Sequence, residues 1–205
     1  LAGKGNEIFQ ETLVSWFGEH YESDSEATPV SDEDTYIYAD SDAVSVVSFK
    51  SGDWYTVNAA DMIFKEITGG IKLCNTNGQW PEAHCLPENP VSVSVSNGYL
   101  YYDISTANVY ASIILYFDGA TPSAYTEGKY LVINSYLGGN VEAYTGDLLA
   151  YQSLKGSIAL SELNIPSGVV RDGRVLVTGV KIFVAGTAYE NVTIKQLAVG
   201  VESAD

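Results

Sequence analysis

The chain has 205 residues, with 26 Asp or Glu against 10 Lys or Arg, and its formal net charge at pH 7 is −16. Nucleic acids and anionic lipid surfaces attract clusters of Lys and Arg, and the sequence has no such cluster. No apolar run reaches the ~20 residues that a membrane-spanning helix needs. We therefore expect no nucleic-acid partner and no membrane insertion, and the length predicts one sizeable domain with or without an appendage.

Acidic residues are concentrated at the start of the chain. Residues 1–42 hold eleven acids and one base, a net charge of −10, so we predict an acidic N-terminal segment there and a globular domain over residues 43–205. Apolar residues at helical spacing lie between Asn6, a candidate cap, and Gly18, and predict a short amphipathic helix. Residues 22–34 are rich in acids, Ser and Thr, which predicts a loop or linker.

The rest of the chain has the apolar pattern of β-structure. Alternating or wholly apolar runs predict strands over residues 44–49, 91–95, 110–117, 129–134, 156–160, 174–177, 180–184 and 191–199. Asn97 and Gly98 predict a tight hairpin turn into a strand over residues 99–102. Residues 58–68 fit either a helix or a strand, and we favour the helix. The pattern predicts an all-β fold, a jelly-roll-like β-sandwich with one or two short helices near the N-terminus.

The aromatic content indicates the kind of ligand. Fifteen Tyr and three Trp accompany abundant Gly, Ser, Thr and Asn, a composition typical of secreted β-proteins that contact neutral polar ligands. A pyranose ring has an apolar face that packs on an aromatic ring and a rim of hydroxyls that pairs with amides and carboxylates. We therefore expect an extracellular or cell-surface module that binds a polysaccharide or oligosaccharide and needs no cofactor.

Three segments place an aromatic residue among amides or acids. The first holds Asn77, Gln79 and Trp80, followed by Glu82 and His84, and Trp80 is the contact that we predict first. The second holds Trp54 between Asp53 and Tyr55, and the third runs from Asn134 through Tyr136 to Asn140. The predicted glycan-binding residues are Trp80, Gln79, Asn77, Trp54, Tyr136 and Asn140. Packing in the core is the alternative for each aromatic residue, and for Trp54 the alternation that follows it favours that alternative.

The two cysteines, Cys74 and Cys85, span twelve residues, and such a pair in an extracellular chain predicts a disulfide. A zinc site with His84 is the rival interpretation, but no second cysteine pair or suitable second His lies nearby. Asp40, Asp42 and Asp103 supply the oxygen ligands that calcium prefers, although solvated acids are the commoner explanation. We predict no metal at the binding site.

Five stretches of the second half carry a family resemblance: residues 108–117, 130–140, 154–163, 175–186 and 192–200. They resemble the non-catalytic β-sandwich modules of glycan-degrading assemblies in gut anaerobic bacteria. The nearest are modules of starch-adhering, amylosome-type surface proteins, and cellulosomal β-glucan modules are the close alternative. The resemblance implies binding of a neutral glucan, starch before β-glucan or xyloglucan, by one monomeric module of a larger protein.

Two other functions stay open. A small glycoside hydrolase needs two carboxylates facing each other across a cleft, and the predicted central strands over residues 110–117, 129–134 and 180–184 carry no acid. We therefore predict that the chain is not an enzyme. A structural or protein-adhesion module would have the same strands and acidity, and would differ only in lacking exposed aromatic residues.

Overall fold

The computed structural model describes residues 36–56, 62–76, 81–124, 127–133, 149–150 and 153–202. Backbone proximity divides the chain into Leu1–Asp34 and Thr35–Asp205. The predicted N-terminal helix and linker lie outside the described residues, and the domain boundary after residue 42 stays a prediction.

The described residues are nearly all β-structure, with no helix of seven or more residues. Three short 3-10 turns, Ser51–Asp53, Leu160–Glu162 and Ser167–Val169, connect strands. The twelve described strands are β1 (Ile37–Tyr38), β2 (Val44–Ser45), β3 (Trp54–Tyr55), β4 (Met62–Ile67), β5 (Gly70–Asn75), β6 (Glu82–Cys85), β7 (Val91–Ser94), β8 (Gly98–Phe117), β9 (Tyr130–Val132), β10 (Leu149–Ala150), β11 (Ser153–Ala159) and β12 (Arg174–Val201).

The antiparallel pair β8–β12 organises the molecule, because it runs through both layers of the fold. Its pairing is interrupted between Gly186 and Asn191 of β12, which divides the pair into two halves. Around the first half of β12 lie β7, β6 and β3 on one side, and β9 and β10 border β8 on the other. We call this the front layer. The second half of β12 pairs with β5 and β2, β4 pairs with β5, and β11 borders β8, forming the back layer.

Side chains from both layers meet in one hydrophobic core. In the front layer the row Trp54, Cys85, Val180, Leu115 and Leu131 points inward, and in the back layer Leu73, Val192 and their neighbours do so. The rings of Trp54 in β3 and Phe64 in β4 pack across the interior with centroids 6.0 Å apart. This two-layer arrangement confirms the predicted β-sandwich.

Three sequence predictions about local structure were wrong in detail. Residues 62–67 are not helical: they form β4, which pairs with β5 through the turn at Gly69, a glycine with φ of +69°. The predicted hairpin at Asn97 and Gly98 is a turn, but the strands that it joins do not pair with each other. Instead β7 pairs with β1 and β12, and β8 borders the other side of β12. The strands predicted after residue 174 are parts of one long strand.

The predicted disulfide is absent: Cys74 and Cys85 are not bonded to each other. Each cysteine pairs with β12, but Cys74 lies opposite Asn191 and Cys85 opposite Val180, in different layers. A disulfide needs Cα atoms less than about 7 Å apart, a condition that this separation along β12 prevents. The Cys85 sulfur instead accepts a hydrogen bond from the Ser48 backbone N–H at 3.3 Å, and burial raises the pKa of its thiol to about 11.

Candidate functional site

The candidate site lies on the solvent side of the front layer, which we call the front face. Hydrogen-bonded neighbours place Tyr55 of β3, His84 of β6 and Lys181 of β12 in one row across three strands. Glu82 and Phe183 form the next row, two residues away along the same strands. Side chains alternate between the two sides of a sheet, so all five lie opposite the core row that contains Trp54 and Cys85.

A chain of polar contacts fixes the centre of the front face. His84 is 1% exposed, and its Nε2 donates to the Glu82 carboxylate at 2.9 Å. The Lys181 ammonium lies 3.5 Å from the same carboxylate oxygen, and Lys181 is 8% exposed. Because a carboxylate only accepts, Nε2 carries the imidazole proton, and the buried Nδ1 has no hydrogen-bond partner in the described part of the chain. The cluster holds Glu82 rigidly, with its side chain 30% exposed.

Tyr55 is the exposed aromatic residue of this cluster. Its ring meets the His84 ring edge-on, with centroids 5.1 Å apart and planes at 85°, and 38% of the residue is exposed. Its hydroxyl lies 3.4 Å from the Ser123 hydroxyl. Contacts at both ends limit the motion of the ring, so little conformational entropy remains to be lost when a ligand packs on it.

The turn over residues 118–124 forms a wall of the front face. It crosses β12 at Gly179, where a Cβ atom would lie 2.8 Å from Pro122 Cδ, so only glycine permits this close approach. Arg171 and Lys129 bind the Asp118 carboxylate at 2.8 and 3.1 Å. The Arg171 hydrogen bond, aided by Lys129, lowers the pKa of Asp118. These ion pairs fix the turn that positions Ser123 beside Tyr55.

A depression of about 570 Å³ lies beside Tyr55, within the size range of small-ligand sites. Its lining combines exposed apolar side chains, Ile37, Tyr55 and Leu86, with polar ones, Ser48, Lys50, Asp53, Glu88 and Asn89. Single exposed apolar residues are common on protein surfaces, but three that line one depression form the kind of patch that marks an interaction site. The two acids and one base give the depression a net negative charge.

The structure assigns a different role to Trp54. This predicted binding residue is 5% exposed and belongs to the core, where its indole N–H donates to the Ser48 carbonyl oxygen at 2.8 Å. It therefore packs under the depression and presents no ring to a ligand. The other predicted contacts, Trp80, Gln79, Asn77, Tyr136 and Asn140, lie outside the described residues.

The described residues next to those two segments, Glu82 and Ile133, both lie in the front layer. Residues 77–80 lead through Pro81 into Glu82, which pairs with Phe183 and, beyond it, Ser112. Residues 134–140 follow Ile133, whose backbone N–H donates to Ile113, the neighbour of Ser112.

Sequence reasoning named Tyr55, Glu82 and His84 only as neighbours of predicted contacts, and it missed Lys181 and Phe183. Local sequence holds no signal for Lys181, because it reaches Glu82 from β12, about a hundred residues away. Among the described residues, no group of three or more His, Cys, Asp and Glu is arranged to hold a metal ion. Of the acids considered for calcium, Asp40 pairs with Arg174 and Asp103 with Lys155, and the calcium site stays a prediction.

Among the residues that the structure describes, no helix has both the length and the apolar character that crossing a membrane requires.

Comparison with known proteins gives structural similarity without sequence similarity. No protein-family model matches the chain, and neither does any curated protein. The Endo-D glycoside hydrolase domain from Streptococcus pneumoniae R6 is similar over 74% of this chain, with 8% identity and a TM-score of 0.48; the match spans 22% of that larger chain.

Two carbohydrate-binding modules from Clostridium thermocellum cellulosomal cellulases are also similar. The family 11 module matches 80% of this chain and 98% of its own, with 11% identity and a TM-score of 0.45. The family 30 module matches 82% of this chain and 97% of its own, with 16% identity and a TM-score of 0.41.

Proposed function

We propose that the chain is a non-catalytic polysaccharide-binding module that contacts a neutral glucan through its front face. The observation that carries the proposal is Tyr55, an exposed aromatic ring held in place by a buried histidine, beside a rigid carboxylate and a depression of ligand size. This is the combination that a pyranose ring requires: an aromatic surface for its C–H face and fixed polar atoms for its hydroxyl rim.

The polar atoms around Tyr55 suit hydroxyl groups. Both contacts of Glu82 use Oε2, so Oε1 makes no hydrogen bond to a described residue and is available to accept one from a sugar hydroxyl. Asp53, Glu88 and Asn89 in the depression add further acceptors. With Asp53 and Glu88 against Lys50, the depression has a net negative charge that disfavours an anionic ligand, which supports a neutral sugar polymer.

The front face favours binding over cleavage. Glycoside hydrolysis uses two carboxylates about 5–10 Å apart, one of them an acid or base and the other a nucleophile or base. Among the described strand residues of the front face, Glu82 is the one carboxylate, and it is already bound to His84 and Lys181. With both contacts on Oε2, this carboxylate has Oε1 left to accept a hydrogen bond, and no second described strand carboxylate of the front face lies opposite it.

The ligand that we propose first is starch-type α-glucan, with β-glucan and xyloglucan as the alternatives. The module would attach a larger extracellular protein to this polysaccharide. Trp80 and Tyr136 are the aromatic residues that the sequence predicts as contacts, and we propose that they extend the aromatic surface. The Tyr55 cluster itself suits a pyranose of any linkage, so the linkage is to be decided by experiment.

Affinity electrophoresis tests the proposal directly. The protein is run in native gels that contain starch, pullulan, xyloglucan, mixed-linkage β-glucan or no polysaccharide, and retardation reports binding. Tyr55→Ala should weaken binding about tenfold, the loss expected when one aromatic contact worth about 1.4 kcal/mol is removed. Tyr38→Ala is the matched control, because Tyr38 is a tyrosine with 48% exposure on β1, outside the Tyr55 cluster.

The outcomes distinguish the candidate functions. Retardation in starch that Tyr55→Ala removes and Tyr38→Ala preserves supports the proposal in full. Retardation only in the β-glucans supports the module and corrects its ligand. Retardation in no gel would favour a structural or protein-adhesion module, and release of reducing ends from any polysaccharide would show a hydrolase.

A further inference from the structure

The outer face of the back layer has the opposite charge to the rest of the molecule. Four lysines that are scattered in sequence, Lys65, Lys72, Lys155 and Lys195, come together there, and we call this surface the lysine face. Lys65 and Lys72 pair across β4 and β5, while Lys155 and Lys195 belong to β11 and β12. At about 4.8 Å between neighbouring strands, the sheet from β4 to β11 spans roughly 20 Å.

The Lys65–Lys72 pair is a feature that folding alone does not favour. The two residues are direct cross-strand partners, and both point away from the core, since Leu73 beside them is buried. Like charges in directly opposite positions of an antiparallel pair are destabilising. Neither ammonium forms an ion pair with any residue that the structure describes. The pair therefore leaves two positive charges side by side and facing solvent.

Lys155 and Lys195 border a depression of about 380 Å³ on the same face, together with Gln196 and Ser45. Lys195 lies in a bulge of β12, between Ile194 and Gln196, where the pairing with β8 shifts by one residue. In a regular strand, successive side chains alternate between the two sides of the sheet. The bulge inserts Lys195 as an extra exposed residue between Ile194 and Gln196. Bulges often redirect a side chain in this way.

One acid, Asp103, lies among the described strand positions of the lysine face, and it contacts Lys155 at 3.6 Å. The four lysines and this acid give the face a charge of about +3, although the whole chain carries −16. The charges of exposed groups are screened over about 8 Å at physiological ionic strength, so a ligand that touches this face senses chiefly the lysines. Of the hydroxyl side chains on this face, Thr193 and Ser105 continue the row of Lys65 and Lys72, and Ser157 lies two residues beyond Lys155.

We propose that the lysine face is a second binding site, for an acidic polysaccharide built of uronic acid units. A ligand that carries both carboxylates and hydroxyls matches a surface on which lysines lie beside Ser and Thr side chains. The surface is a sheet with a shallow depression, which suits an extended chain. The front-face depression borders this one at Ser45, but its net negative charge selects against the same ligand.

The experiment uses the full chain and polygalacturonate, in affinity gels at about 0.05 M and about 0.5 M NaCl. The unmodified protein should be retarded at the lower salt concentration and released at the higher one, because ionic contacts are screened. Lys65→Gln, Lys72→Gln, Lys155→Gln and Lys195→Gln should each weaken binding about two- to fivefold, the range expected for exposed charge pairs. Lys50→Gln is the matched control for polygalacturonate binding, since it removes one exposed lysine that lines the front-face depression rather than the lysine face.

Each outcome decides the proposal. Retardation that is salt-sensitive, weakened by the four face substitutions and unaffected by Lys50→Gln supports it. Absence of retardation in polygalacturonate, or equal weakening by Lys50→Gln, would overturn it. Equal binding of poly-L-glutamate, which lacks the sugar hydroxyls, would overturn the assignment to a polysaccharide. These results do not depend on whether starch binds, so failure here and failure of the proposed front-face function are separable.

Discussion

Lys65→Glu should make the protein more stable while removing a ligand contact. The substitution converts the Lys65–Lys72 cross-strand pair from like to opposite charges. At a separation of roughly 6 Å in water, two unit charges interact with about 0.7 kcal/mol, and screening at physiological salt reduces this by about half. Loss of the repulsion and gain of the attraction together should raise the free energy of unfolding by about 0.7 kcal/mol.

Thermal unfolding followed by near-UV circular dichroism measures this gain. For a chain of this length, about 0.7 kcal/mol corresponds to a rise in Tm of roughly 2 °C. Lys65→Gln removes the repulsion without adding an attraction, so it should give about half the gain. In about 1 M NaCl the Debye length falls to about 3 Å, and the three proteins should unfold at the same temperature.

A Tm that is unchanged or lower for Lys65→Glu at low salt would refute the cross-strand repulsion. A rise that persists in high salt would show that packing rather than charge is responsible. If the expected rise accompanies weaker binding to polygalacturonate, loss of folding cannot explain the loss of binding. The two measurements together therefore test the lysine face more strictly than either does alone.

Three further predictions concern packing and ionisation. Gly179→Ala should destabilise by about 1–3 kcal/mol in urea denaturation, because its Cβ would lie 2.8 Å from Pro122 Cδ. Asp118→Asn should cost about 0.5–1 kcal/mol at neutral pH, since Arg171 is exposed. The lowered pKa of Asp118 means that this cost should disappear as the pH falls below about 4, and Asn tolerates the φ of 52° there. Two thiols should titrate after denaturation without reductant, and the buried Cys85, whose pKa is raised to about 11, should react after Cys74 in the native state.

The sequence predicted the strands better than their pairing. Apolar alternation is a local property, so the strand predicted over residues 91–95 matches β7 within one residue, whereas the strands predicted over residues 99–102 and 110–117 are parts of the single long strand β8. Pairing is decided by distant segments, and no local signal showed that β7 would pair with β1 and β12 rather than with β8. Residues 62–67 were ambiguous for the same reason. Contact of Phe64 with Trp54 and pairing with β5 decide in favour of a strand, and both are long-range.

The candidate site was predictable in part. Tyr55, Glu82 and His84 were noticed because each lies near a tryptophan or an amide in the sequence. Their joint position on one face depends on β3 pairing with β6, and Lys181 joins them only through β12. The lysine face was not predictable at all, because a search for clustered bases along the sequence does not detect residues separated by seven, eighty-three and forty positions.

The two outer faces of the sandwich differ in charge. Both β8 and β12 run through the two layers, so each strand contributes side chains to both faces. The same two strands supply Lys181 to the front face, where Glu82 neutralises it, and Lys195 to the back, where no described acid pairs with it. A neutral glucan needs an aromatic ring and hydrogen-bond acceptors, whereas a uronate polymer needs unpaired cations. Substitutions at Tyr55 and at Lys72 should therefore affect binding of the two polysaccharide classes separately, since the hydrophobic core lies between the faces.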